Sequence, residues 1–182
     1  MKVRRRQIEE TIEQLLTGNR VSKPPVPVPR IARRLGLKLQ LQPFEEEGEM
    51  SGILVRDGKD VILGVNASHH VNRRRFTIAH EIGHFLLHEG NRVFVDRSNY
   101  KVSLRDAVSS SGMNIEEVEA NMFASLLLIP ERFLVSDLEG KDIDIADDRA
   151  DQEVKALARK YKVSPQTMAF RLLNRSGMAD KS

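Results

Sequence analysis

The stretch His80-Glu81-Ile82-Gly83-His84 restricts this chain more than any other. It lies on a predicted helix, so the two histidines sit about 40° apart around the axis and one turn apart along it. Both imidazoles can then reach one metal ion. Glu81 projects beside the pair, where a carboxylate can take a proton from a water that the metal holds. Two His ligands and a Glu base are the arrangement of zinc hydrolases. A chain built this way must turn a polar helix face inward and bring a second element against it.

The rest of the composition narrows what can complete such a site. There is no cysteine, so thiolate ligands and disulfides are excluded and any metal is held by nitrogen and oxygen. With 182 residues, 40% hydrophobic and 30% charged, the chain is long enough for one globular domain with a real core. No apolar run approaches the roughly 20 residues that cross a bilayer. The basic start, Met1 to Arg6, is followed by Gln7 to Glu13, which is too acidic for the core of a signal peptide. A net charge of +3 is too weak to argue for nucleic acid by itself.

Periodicity gives the coarse order of elements. Ile8, Ile12, Leu15 and Leu16 predict an amphipathic helix over 3–17, stopped at Gly18. The proline-rich Lys23 to Pro29 reads as extended, followed by a short helix from Arg30 to Leu35 that ends at Gly36. Leu37 to Gln42 alternates as a strand, and Gly52 to Arg56 with Asp60 to Asn66 reads as a hairpin turning at Asp57-Gly58. The metal helix spans about 73–89, and the polar stretch 90–114 reads as a long mobile loop. A second helix runs from Ile115 to Ile129 and stops at Pro130, with a further short helix from Pro130 to Leu138. Asp142 to Asp151 is an acidic loop. Residues 152–174 read as two helices broken at Val163-Ser164-Pro165, with Ser164 as cap and Pro165 in the first turn. The whole is an α+β domain. It reads as a single unit, 1–182, with an N-terminal helical segment over 1–22 and a helix-turn-helix-like portion over 152–174.

A catalytic zinc needs a third protein ligand. A third His six residues after His84 is absent, since Gly90 stands there. His88 continues the same helix face, but it lies roughly 12 Å along the axis from His80, too far to converge on one ion. It is expected to pack or to support a ligand from behind. The helix over 115–129 offers Glu116, Glu117 and Glu119. Glu117 is favoured, because Asn121 lies one turn further on the same face and can orient a ligand His through its second ring nitrogen. Glu119, which points about 160° away from Asn121, stands as the alternative. Small Ala120 and Ala124 would let two helices approach closely.

With these blocks in view, the chain resembles the ImmA/IrrE family of zinc metallo-endopeptidases. The resemblance rests on Pro25-Val26-Pro27-Val28 with Ile31 to Gly36, on Ser51-Gly52 and Val65-Asn66, and on Arg74 to His88. It continues through Glu117 to Ala124 with Leu127 to Pro130, and through Leu157-Ala158 to Leu172. It implies a zincin-like core, in which a small antiparallel or mixed sheet packs on the H-E-x-x-H helix and a second ligand helix, with helix-turn-helix-like helices at the C-terminal end. It further implies one zinc ion on His80, His84 and Glu117, with Glu81 as the base. The protein would then be a cytoplasmic bacterial, phage or mobile-element peptidase, often acting on a helix-turn-helix repressor. The strand Asp60 to Asn66 would pair with the extended substrate.

Other features carry expectations of their own. Arg73-Arg74-Arg75 opposes the helix dipole at the start of the metal helix and calls for carboxylate partners, with Glu45 to Glu49 as candidates. Tyr100 and His70 are candidate oxyanion donors, though His69 and His70 read most simply as loop histidines. Lys155, Arg159, Lys160, Lys162, Arg171 and Arg175 could serve DNA, but packing of their helices on the core is the favoured reading. The rival to an active peptidase is a regulator that keeps the fold and acts by binding DNA or a protein, including a toxin- or antitoxin-like module.

Overall fold

The structure is a computed structural model that describes residues 3–44, 50–88, 93–96, 115–139, 143 and 150–179. It is α+β. The elements run α1 (Arg5–Gly18), α2 (Val28–Arg34), β1 (Leu37–Gln42), β2 (Gly52–Asp57), β3 (Asp60–Asn66), α3 (Val71–Leu87), β4 (Val93–Asp96), α4 (Ile115–Leu128), α5 (Glu131–Leu138), α6 (Ala150–Tyr161) and α7 (Pro165–Ala179).

The strands form one mixed sheet in the order β1-β3-β2-β4. β3 pairs parallel with β1, from Leu37↔Val61 to Gln42↔Asn66, and antiparallel with β2, from Gly52↔Val65 to Asp57↔Asp60. The hairpin turns through Gly58-Lys59, with Gly58 at φ +59°, a left-handed conformation that costs glycine little. β3 is therefore central, with both edges used, and cannot take up a substrate strand. That corrects the expectation placed on Asp60–Asn66. The described edges belong to β1 and β4. β4 itself lies inside the stretch read as loop: its four residues pair with β2, Gly52↔Asp96 to Val55↔Val93. Its brevity hid it, since four residues give period-two alternation little room to show. Tyr100 and the Glu45–Glu49 loop lie outside the described residues.

α3 is the central helix, with eleven of its residues buried from Arg75 to Leu87. It begins two residues earlier than its sequence suggests, because His70 acts as N-cap: its Nδ1 accepts the Asn72 N–H at 3.2 Å. α4 packs along it. The contact is close where Gly83 meets Ala120 and Phe123; a β-carbon at Gly83 would stand 3.2 Å from Ala120 Cα and from Phe123 Cβ. α1 lays Ile8, Ile12 and Leu16 into the core. It ends at Gly18, as expected; Asn19 Nδ2 then donates to Leu15 O at 2.8 Å, and Arg20 takes the left-handed turn. Gly36, at φ +84°, does follow α2 in the manner expected.

The three arginines at the head of α3 are not met by carboxylates among the described residues. Arg75 is buried and donates to Lys162 O at 3.1 Å and Val26 O at 2.9 Å, while Arg73 donates to Ser51 Oγ at 2.8 Å. Backbone carbonyls from two loops thus satisfy the cation that looked out of place, and burial lowers the Arg75 pKa. The same contact, with Asn72 Nδ2 on Val163 O at 2.9 Å, ties the α6–α7 turn to the head of α3. Ser164 Oγ accepts the Thr167 N–H at 3.0 Å as the cap of α7. The cations of this helix pair are largely spoken for. Arg171, almost fully buried, donates to Ile129 O and Glu131; Arg175 also meets Glu131, Lys155 meets Asp151, and Lys160 meets Asp137.

Candidate metal centre

The site sits where α3 faces α4. His80 and His84 are each 1% exposed, and their Nε2 atoms lie 3.0 Å apart. Glu117, from the first turn of α4, closes the triangle: its Oε2 is 3.4 Å from His80 Nε2 and its Oε1 is 3.2 Å from His84 Nε2. One donor atom from each residue falls within 4.8 Å of the others, a group that could hold a metal ion. Among the described residues it is the one such group of three or more His, Cys, Asp or Glu. Glu117 keeps 40% of its side-chain surface, so the cluster meets solvent on that side.

The protonation states suit a cation. Burial lowers the His84 pKa and favours the neutral imidazole, whose nitrogen lone pair a metal requires. Burial works against ionisation of Glu117, but the His80 and His84 imidazoles beside it outweigh that and hold the carboxyl well below the usual range. Asn121 Oδ1 lies 3.1 Å from His80 Nδ1, which leaves that ring's Nε2 turned to Glu117. Two imidazole nitrogens and one carboxylate oxygen, with no sulfur, are a donor set that fits zinc.

Glu81 is fully buried next to this cluster, against β2. Gly52 makes the space: a β-carbon there would overlap Thr77 Cγ2 and stand 2.9 Å from Glu81 Oε1. Gly52 of the Ser51-Gly52 pair noted in the sequence is thus the floor under the candidate base.

Of the three competing glutamates on α4, the structure brings Glu117 to the histidines. Glu119 turns the other way and is 2% exposed. Its Oε2 lies 3.1 Å from His88 Nε2 and 2.6 Å from Arg4 Nη2. The hydrogen bonds from Arg4 hold the Glu119 pKa at about 2. Glu116 is not in the metal group, and its charge acts on Arg4. His70, as the cap of α3, has its Nδ1 occupied. Arg4 is the residue that sequence reasoning missed. A signal for it existed: Glu119 directly precedes Ala120 in a helix whose next turns are apolar, and a carboxylate in such a place needs a cation.

The model of the peptidase M78 family, described as the IrrE N-terminal-like domain, matches residues 32–173. The chain belongs to the peptidase M78 family. The match spans the sheet, both site helices and most of α7, so it covers every residue of the cluster. No curated protein matches the sequence. Among solved structures, a Mycobacterium tuberculosis transcriptional regulator aligns with a TM-score of 0.60 at 18% identity, over 91% of this M78 chain and 55% of that one. At that identity the likeness is one of fold. The M78 chain spans about half the length of that regulator. M78 proteins are metallopeptidases, which agrees with a group of residues able to hold a metal. No described helix is long and apolar enough to cross a membrane.

Proposed function

We propose that the chain is a zinc-dependent endopeptidase with a zincin-like core, which cleaves a protein substrate, a helix-turn-helix repressor being the class suggested by its family. The observation that carries this reading is the convergence of His80, His84 and Glu117 within 4.8 Å, with Glu81 buried alongside. His80, His84 and Glu117 would be the three protein ligands. Zinc held by them supplies a Lewis acid that lowers the pKa of water and polarises a carbonyl. Asn121 keeps His80 turned with its Nε2 inward. Glu81 takes the proton of the attacking water on its carboxylate and delivers it to the leaving amine. Glu81 is buried against Gly52, so the base does not have to be ordered during the reaction.

A regulatory setting agrees with the name of the fold neighbour, a transcriptional regulator. Direct DNA binding by α6 and α7 is disfavoured, because Arg171, Arg175, Lys155 and Lys160 are engaged in ion pairs within the chain. Glu81→Gln tests the proposal. It should retain the metal content and the melting temperature of the wild type while repressor cleavage falls about 100- to 10,000-fold. Cleavage that survives Glu81→Gln would contradict the assigned base. A repressor held in a stable complex with no product, by wild type and variant alike, would favour the binding regulator.

A further inference from the structure

The histidine ladder of α3 does not end at the metal cluster. His84 Nδ1 lies 3.1 Å from His88 Nδ1, and His88 Nε2 lies 3.1 Å from Glu119 Oε2. Arg4 grips Glu119 with its side chain, Nη2 at 2.6 Å and Nε at 3.1 Å, and with its backbone N–H at 2.8 Å. Arg4 Nη2 also donates to Leu87 O at 3.1 Å, one residue before His88. His84, His88 and Glu119 are 1%, 3% and 2% exposed, so water does not substitute for these contacts.

With both imidazoles neutral, hydrogen-bond logic allows one arrangement of protons along this chain. A carboxylate paired with a guanidinium can only accept, so His88 must carry its proton on Nε2. A neutral His88 is then bare at Nδ1 and can only accept there. His84 must therefore donate from Nδ1, which leaves its Nε2 without a proton. That Nε2 is the atom facing His80 and Glu117. We infer that Arg4, Glu119 and His88 form a positioning relay that fixes His84 as the Nδ1–H tautomer, with its Nε2 lone pair presented to the metal. This deepens the peptidase reading and rests on His84 being a ligand. His80 gets the same service from one group, Asn121; His84 gets it from three residues, His88 just after α3, Glu119 on α4 and Arg4 just before α1.

The alternative use of these residues is packing alone, as a buried ion pair that pins the segment before α1 to the end of α3. The two uses separate on metal affinity. Zinc binding would be measured by chelator competition on the full chain, for wild type, His88→Leu, His88→Gln and Glu119→Gln. Loss of an outer partner of a ligating His costs roughly 10- to 100-fold in affinity, which is expected for His88→Leu. His88→Gln should recover most of that, because its amide oxygen can accept from His84 while its NH2 donates to Glu119. Glu119→Gln should weaken zinc as His88→Leu does: Arg4 claims the amide oxygen, so the NH2 faces His88 and reverses the proton order. Unchanged zinc affinity in a folded His88→Leu or Glu119→Gln would overturn the relay. Nitrogen-15 imidazole spectra of the zinc-free wild type decide it without a variant or a metal. His88 protonated at Nε2 and bare at Nδ1 supports the relay, and either the opposite tautomer or a doubly protonated His88 overturns it. A wild type that takes up no zinc would instead overturn the ligand assignment, and the spectra would still judge the hydrogen-bond order.

Discussion

Two clusters on the same pair of helices use the same residue types to opposite ends. His80, His84 and Glu117 stand around a shared space, with the Glu117 carboxylate partly open to solvent. One turn further down α3, His88 and Glu119 make an equally short contact, yet both are sealed. The difference is one cation. Arg4, brought from the segment before α1, fills the place beside Glu119 that a metal would take beside Glu117. The lesson concerns carboxylates on helices. Position along α4 decides which histidine a glutamate meets, but the third element decides whether the pair is a closed ion pair or a place for a ligand.

That contrast can be broken by truncating each carboxylate. Glu119→Ala leaves His88 and Arg4 facing each other without their anion. Removing one partner of a buried ion pair costs about 3–5 kcal/mol. Arg4 is 42% exposed and can be partly rehydrated, so about 2–3 kcal/mol is expected here. Glu117→Ala, at the open cluster, should cost the metal-free protein less than Glu119→Ala does, because its side chain is 40% exposed. Urea unfolding of the metal-free proteins measures both. Equal losses would mean that the two clusters are the same kind of feature.

The helix contact that holds both clusters together gives the next effect. Gly83→Ala forces a methyl against Ala120 Cα, a backbone atom that cannot rotate away. Overpacking of this kind costs about 1–3 kcal/mol. Because the strain pushes α4 from α3, zinc affinity should fall along with the melting temperature. A stable Gly83→Ala with full zinc affinity would show that the spacing of the helices is not what aligns Glu117.

A third carboxylate sharpens the comparison. Burial opposes ionisation of Glu131, but Arg175 and Arg171 outweigh it and keep its pKa below the usual carboxylate value. A carboxyl whose pKa is depressed in the folded state adds stability above its unfolded pKa and loses it as pH falls through the folded one. Metal-free protein should therefore lose stability on acidification below about pH 4.5, and Glu131→Gln should flatten that slope. An unchanged slope would place the acid sensitivity elsewhere. The smallest effect is expected for Arg175→Ala. That residue is 32% exposed and shares Glu131 with the buried Arg171, so the loss should stay under about 1 kcal/mol.

Much of this was legible because local patterns and tertiary needs agree. β1 and β3 match their expected bounds, since alternation and the Asp57-Gly58 turn both point the same way. The pairing of Asn121 with His80 follows from one-turn spacing on a regular helix. What escaped the sequence depended on partners far away in the chain. Arg4 reaches Glu119 across 115 positions, and Arg75 reaches loop carbonyls 49 and 87 positions away. No local periodicity carries such pairings. His70 reads as a loop residue from the sequence but serves as the cap of α3, because histidine Nδ1 can do what Ser or Asp oxygen usually does.

The central claim is that Glu117, and not Glu119, completes a metal site with His80 and His84. Elemental mass spectrometry of purified wild type, Glu117→Ala and Glu119→Ala, each after incubation with zinc and desalting, tests it most directly. The account predicts about one zinc per chain in the wild type, none in Glu117→Ala, and retained but more easily stripped zinc in Glu119→Ala. Zinc kept by Glu117→Ala and lost by Glu119→Ala, or absent from all three, would contradict it.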